Sequence, residues 1–235
     1  MTQLSAIAKT AGAIAWVCLI GGVGCRKPPG SEQLTMAINQ DVLTHLRSPE
    51  RLLSSTQVTL GAVDSPENRL WSLLQQAETH YFVLIRHAFA PGTGDPANFQ
   101  LNDCSTQRNL SAVGQAQARR TGAAFKQRNI AVRQVLSSQW CRCLETAELM
   151  EIGTVQPFAP LNSFFGDRRP QGPQQTAQIR AFMREQTANA GVTVMVTHAV
   201  NITALSGASV ASGEMVVIQV DRQNQLEVLG QIEAL

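Results

Sequence analysis

One stretch constrains this chain more than any other: Tyr81-Phe82-Val83-Leu84-Ile85-Arg86-His87-Ala88. Five apolar residues run without a break and end in a cation and an imidazole. An uninterrupted apolar run of this length reads as a strand buried on both faces, as in a parallel sheet. Ligands of such sheets bind beyond the carboxyl ends of the strands, where Arg86 and His87 stand. Pro91, Gly92, Thr93 and Gly94 then open the chain into a loop. On these residues alone two readings fit: a site for an anion and a nucleophile, or a strand that exits to water through polar side chains.

The remainder of the chain supports a sheet around that strand. Leu70, Leu73, Leu74 and Ala77 have helical spacing just ahead of it. Ser111 can cap a helix running to about Arg128, with Gly114, Ala118, Gly122 and Phe125 along one face. Val132–Ser138 predicts a second strand, 141–150 a helix, 174–187 another helix and 192–196 a third buried strand. Residues 215–220 and 226–232 predict two more strands, joined by a turn at 222–225. Strands alternating with helices predict an α/β fold: a three-layer α/β/α sandwich with a mostly parallel central sheet.

Composition excludes some functions. Across 235 residues the net charge is only +2, with scattered basic residues and few aromatics, so no nucleic-acid surface is expected. Five cysteines contain no pair of CxxC motifs, and no carboxylate cluster offers a metal site. No metal or cofactor is expected. His45 and His80 have no chemical partner nearby in sequence and read as structural or surface histidines.

Residues 1–25 read as an export segment. Lys9 precedes an uncharged apolar stretch that is short for a membrane span, and Gly22-Val23-Gly24-Cys25 places small residues before a cysteine. This pattern fits a lipoprotein signal with lipid attachment at Cys25, and small residues also suit ordinary signal cleavage. Arg26 and Lys27 favour the opposite topology, a buried or anchoring helix on a cytosolic domain. The expected location is outside the cytoplasm, periplasmic or membrane-anchored. Residues 26–68 read as linker and N-terminal extension, and 69–235 as the functional domain.

Two further strand ends repeat the opening pattern. The second strand leads through Ser137-Ser138-Gln139-Trp140 to Arg142, placed in the first turn of a helix. A cation there is disfavoured by the helix dipole unless an anion binds beside it. The third strand ends in Thr197-His198. Three strands thus bring cations or imidazoles to one edge of the sheet.

Leu84–Ala88, Asn109–Ala118, Ser137-Ser138 with Arg142 and Thr146-Ala147, and Val196-Thr197-His198 occur in an order that resembles the histidine phosphatase superfamily, also called phosphoglycerate-mutase-like. Within it the pattern is similar to an envelope-type branch that includes lipopolysaccharide heptose phosphatases. The resemblance covers residues 80–232. It implies phosphomonoester hydrolysis through a phosphohistidine, with His87 as nucleophile and Arg86, Arg142 and His198 holding the phosphoryl group. The implied partner is a small phosphorylated substrate, such as an envelope phospho-sugar.

The acid that protonates the leaving group departs from the family pattern. Ser163 stands where a glutamate is expected and Ala199 follows His198. Asp167 is the nearest substitute, and Glu214 is the other candidate. Asn201 either lines the pocket or caps a helix. The alternatives to a phosphatase are a non-catalytic envelope lipoprotein that binds an anion, and a phosphoglycerate mutase. Cys104 and Cys141 both belong to the sheet edge that carries the site, so a disulfide between them is expected in an oxidising compartment, with Cys143 as a small core residue.

Overall fold

The computed structural model describes residues 65–235. The export segment, Cys25 and the expected linker through residue 64 lie outside the described residues. Residues 66–68, expected as the end of that linker, instead form the first turn of helix α1 (Pro66–Gln76). The local reason is a cap: the Ser65 side chain accepts from the Asn68 N–H, and Pro66 supplies a preset φ where no N–H is needed.

The elements then run β1 (His80–Arg86), α2 (Ala112–Gln127), β2 (Val132–Ser137), α3 (Cys141–Met150), β3 (Val155–Pro157), α4 (Gly172–Glu185), β4 (Gly191–Thr197), α5 (Ala199–Ser206), β5 (Met215–Val220) and β6 (Leu226–Ile232). The six strands form one sheet in the order β3-β2-β4-β1-β5-β6. The β3/β2, β2/β4 and β4/β1 pairs are parallel, and β1/β5 and β5/β6 are antiparallel. The mostly parallel α/β sandwich is therefore as expected. Two short elements went unread: β3, only three residues long, and α5, which follows His198 directly.

Alternation along β1 separates two cores. Tyr81, Val83 and Ile85 face one side, packed with Leu70, Trp71 and Leu74 of α1, Phe125 of α2, and Cys143, Ala147 and Met150 of α3. Phe82 and Leu84 face the other, packed with Ile179 and Met183 of α4 and Ile202 and Leu205 of α5. Both faces are covered, which is why β1 and β4 carry apolar residues without alternation. At Gly122 the two helices α2 and α3 approach so closely that a Cβ would lie 1.9 Å from the Met150 carbonyl oxygen. His80 is buried and structural: Nδ1 lies 2.6 Å from the Asn189 carbonyl and Nε2 lies 2.9 Å from Thr193 Oγ1.

Strand register fixes the position of the site. Arg86 pairs with Thr197, and Ser137 with Val196. The ladder runs one step further, with His87 N–H donating to Thr197 O and Ser138 N–H to Val196 O, each at 2.9 Å. Residues 87, 138 and 198 consequently leave three adjacent parallel strands at one edge.

Candidate active site

At that edge a cavity of about 190 Å³ is walled by Arg86, His87, Arg108, Arg142, Ser163 and His198, together with Gly92–Asp95, Phe165, Ala199 and Val200. The four residues expected to handle a phosphoryl group, Arg86, His87, Arg142 and His198, meet here. Their bonds fix how each is oriented and protonated.

His87 is buried, and its Nδ1 lies 2.9 Å from the Ala88 carbonyl oxygen. A carbonyl only accepts, so Nδ1 carries the proton and Nε2 is the free lone pair in the neutral ring. That lone pair accepts from Arg142 Nε at 3.2 Å. Burial, then the neighbouring Arg142 charge, pushes the His87 pKa down to about 3. At neutral pH the imidazole is therefore uncharged and its Nε2 unprotonated, which is what attack on phosphorus requires.

His198 is also buried, and burial and the charges around it hold its pKa well below the ordinary histidine value. Its Nε2 lies 2.9 Å from Ser138 Oγ, and Ser138 Oγ donates to Asn162 Oδ1 at 3.2 Å. The hydroxyl has one proton, so His198 Nε2 is the donor in that pair. The ring stands edge-on to His87, with centroids 5.4 Å apart.

Arg86 donates from Nη1 to the Val210 carbonyl at 2.8 Å, and its Nε is buried without a partner. Arg142 Nη1 donates to Asp95 Oδ1 at 2.6 Å in a nearly dry ion pair. Trp140 Nε1 donates to the other carboxylate oxygen of Asp95 at 3.0 Å. Burial alone would raise the Asp95 carboxyl, but the bonds from Arg142 and Trp140 outweigh it and keep the group ionised. Asp95 thereby fixes the Arg142 guanidinium with its Nε toward His87.

Sequence reading passed over Asp95, Trp140 and Arg108. Arg108 stands one residue ahead of the Asn109–Ala118 motif; its side chain donates to the carbonyls of Gly94 and Ala90 and lines the cavity. Asp95 stands apart from every motif; it follows Gly94, which adopts φ +72°, a left-handed conformation that glycine takes without strain.

The expected acid and binding residues sit elsewhere. Asp167 lies on a short 3-10 turn (Gly166–Gln171) and lines an adjoining cleft rather than the walls around His87. Glu214 accepts from Ala211 N–H at 2.6 Å and is not on the cavity wall. Asn201 caps nothing, because His198 occupies the N-cap position of α5. It is fully buried, is not on the cavity wall and donates to Asn162 O at 3.0 Å. Ser163, at the position where a glutamate was expected, does line the cavity.

Cys104 and Cys141 are bonded to each other, with Cα atoms 5.7 Å apart. The bridge ties the loop after β1 to the first turn of α3, next to Arg142. Cys143 is free and buried, and burial pushes its thiol up to about 12, so it remains an uncharged core group. Among the described residues no grouping of three His, Cys, Asp or Glu side chains suits a metal ion.

Residues 82–162 match the histidine phosphatase superfamily (branch 1). This match spans β1 through the loop that follows β3, and so includes Arg86, His87, Arg108 and Arg142. No curated protein matches the chain. Among solved structures, a mycobacterial hydrolase (hydrolase 1) superposes with a TM-score of 0.52 at 16% identity, over 67% of this chain and 100% of that one. The phosphoserine phosphatase of Entamoeba histolytica, solved with 3-phosphoglyceric acid, gives 0.51 at 13% identity, over 66% and 98%. The product of the Mycobacterium tuberculosis open reading frame Rv3214 gives 0.51 at 15%, over 66% and 98%. These three likenesses show a shared α/β fold, and the chemistry rests on the geometry above.

Proposed function

We propose that this chain is a phosphatase that hydrolyses a phosphomonoester through a phosphohistidine on His87. The observation that carries this reading is the His87 ring: Nδ1–H is committed to Ala88 O, Nε2 is unprotonated and accepts from Arg142, and the ring lines a cavity with three guanidinium groups. Phosphoryl transfer depends on positioning and charge stabilisation more than on covalent help. Arg86, Arg108 and Arg142 supply fixed positive charge, and guanidinium forks match phosphoryl oxygens. In-line attack by Nε2 forms the N–P bond while the ester oxygen leaves; water then cleaves that bond and returns the ring.

The leaving oxygen needs a proton. Of the three candidate carboxylates, Asp95 lines the cavity and shares Arg142 with His87, whereas Asp167 and Glu214 do not line it. Asp95 is the proposed donor. A bound phosphoryl dianion draws on Arg142 and adds negative charge, and both effects raise the carboxyl toward protonation.

The proposed substrate is a small phosphorylated alcohol, an envelope phospho-sugar in keeping with the resemblance to heptose phosphatases. The proposed location is outside the cytoplasm, with lipid on Cys25. The Cys104–Cys141 bridge supports that location, since such bonds persist in oxidising compartments. Substituting Cys25 by serine should release the protein from membranes; an intact Met1 N-terminus on soluble protein would defeat the export reading. A panel of phosphoesters, run on wild type and His87→Ala, tests the activity: turnover is expected in the first and absent in the second.

A further inference from the structure

The proton on His198 is placed by a chain of bonds that starts at a group with a fixed role. Gln139 N–H donates to the Asn162 side chain at 2.8 Å, so the atom it meets is the amide oxygen, Oδ1. Asn162 Nδ2 donates to Gln139 Oε1 at 2.8 Å, in keeping with that orientation. An amide oxygen only accepts, so the Ser138 hydroxyl directs its one proton at Oδ1. Ser138 Oγ accepts from Trp140 N–H at 3.3 Å and from His198 Nε2 at 2.9 Å, which uses all its bonds. The neutral His198 ring therefore carries its proton on Nε2, and Nδ1 is the bare lone pair.

That lone pair is open. The hydrogen bonds of the His198 ring run through Nε2, and its side chain does not cap α5. Among the described residues the buried side-chain nitrogen and oxygen atoms without a partner are Arg86 Nε, Gln175 Oε1 and Asn201 Oδ1. Nδ1 lacks a partner and is not one of them, so it reaches the cavity that His198 lines.

The surroundings of the ring are cationic. Arg86 and His87 face it from β1, Arg142 and the Cys143 thiol from α3, and Arg108 from the loop ahead of α2. Trp140 stands edge-on to it at 5.5 Å, with Arg168 beyond, 5.3 Å from the Trp140 centroid. Asp95 is the one carboxylate on the cavity wall among the described residues, and Arg142 and Trp140 donate to its two oxygens. These cations keep the free ring neutral, and a phosphoryl dianion reverses the balance. Its oxygen is repelled by a bare Nδ1, whereas a proton between them makes a charge-assisted hydrogen bond. His87 Nε2 already accepts from Arg142. His198 Nδ1 is the acceptor on the wall that has no donor.

We infer that Ser138 and Asn162 are positioning residues that hold His198 with Nδ1 toward the phosphoryl group, and that a phosphoryl dianion binds together with one proton, taken from solvent onto that nitrogen. The inference rests on the phosphatase reading above. Nitrogen-15 NMR of the histidine rings in the full chain, with and without inorganic phosphate, reads the nitrogen directly. Free wild type should show His198 protonated at Nε2 alone, and phosphate should convert it to the doubly protonated ring. Calorimetry above the second ionisation of phosphate, in buffers of different ionisation enthalpy, should return about one proton taken up per phosphate, with affinity falling about tenfold per pH unit. Ser138→Ala leaves the Cys143 thiol, 3.4 Å from Nε2, as the neighbour able to donate there. The ring proton should then move to Nδ1 and meet phosphate without uptake. Asn162→Ala frees the Ser138 proton to point at Nε2 and should act alike, so the test survives a Ser138 variant that does not fold. A purely structural role would weaken binding in both variants with uptake still near one. That result, a free wild-type ring protonated at Nδ1, a ring that phosphate leaves neutral, or no phosphate binding overturns the inference. The phosphatase reading fails separately, by absence of p-nitrophenyl phosphate turnover in the same wild-type preparation.

Discussion

Arg142 Nε donates to His87 Nε2 at 3.2 Å, so the lone pair that would attack phosphorus is occupied by the group that would bind the phosphoryl oxygens. An incoming anion competes for Arg142 and in doing so frees the nucleophile. In the proposed mechanism the guanidinium would thus be both a charge stabiliser and a gate on the imidazole. Arg142→Ala should lower kcat by about 10²–10³, the scale of a lost transition-state donor. Arg142→Lys should recover little of this, since an ammonium cannot meet Asp95 and His87 from one rigid plane. Steady-state kinetics of the two variants check this, and full rescue by lysine would contradict it.

The pH response has a definite sign. His87 is pushed down to about 3 by burial first and Arg142 second, against an ordinary value of 6.5, and His198 is shifted in the same direction. Between about pH 3 and 6.5 the unfolded chain holds more protons than the folded one, so folding stability rises with pH in that window. It is complete above about 6.5 and declines as pH falls toward 3, by a few kcal/mol for His87 alone. Nitrogen-15 NMR of the ring should show His87 neutral at pH 5, and chemical denaturation should give a lower midpoint at pH 4.5 than at 7.5. A ring titrating near 6.5 would contradict the buried, cation-flanked geometry.

Asp95→Asn separates proton donation from simple positioning. Loss of the donor should slow an alkyl phosphate far more than p-nitrophenyl phosphate, whose leaving group needs little proton assistance. Loss of the Arg142 anchor slows both alike. The measurement is kcat/KM on the two esters; equal slowing would leave Asp95 as a positioning residue only, and Asp167→Asn is the comparison.

The Cys104–Cys141 bridge closes a separation of 37 residues, from the loop after β1 to the helix carrying Arg142. Replacing both cysteines with serine should cost roughly 2–4 kcal/mol of stability. Activity should fall as well, because Arg142 follows Cys141 directly. Urea unfolding and kinetics of the double variant check both; unchanged values in each would show that the loop is held by other contacts.

Much of this was legible before the fold was known, for reasons visible in particular residues. Tyr81–Ile85 could be read because a strand buried on both faces has no alternation to obscure it, and the ends of β1, β2 and β4 carry their chemistry in adjacent residues. Cys104 and Cys141 could be paired because both flank that edge. Asp95 was not legible: it stands apart from every motif and reaches Arg142 only because the Gly92–Gly94 turn folds back. Arg168 was hidden likewise, since its stacking on Phe99 and Trp140 joins segments far apart in sequence. Asp167 was read as the nearest substitute for the glutamate expected at position 163, with Glu214 as the other candidate, and a 3-10 turn carries Asp167 into the neighbouring cleft.

The central claim is a covalent phosphohistidine at His87, and trapping it is the most direct test. Wild-type protein mixed with a phosphorus-32-labelled ester and quenched within one turnover in alkali should carry label that is stable in base and lost in acid. Tandem mass spectrometry should place it on His87, and His87→Asn should carry none. Turnover without label on His87, or label retained in His87→Asn, would contradict the account.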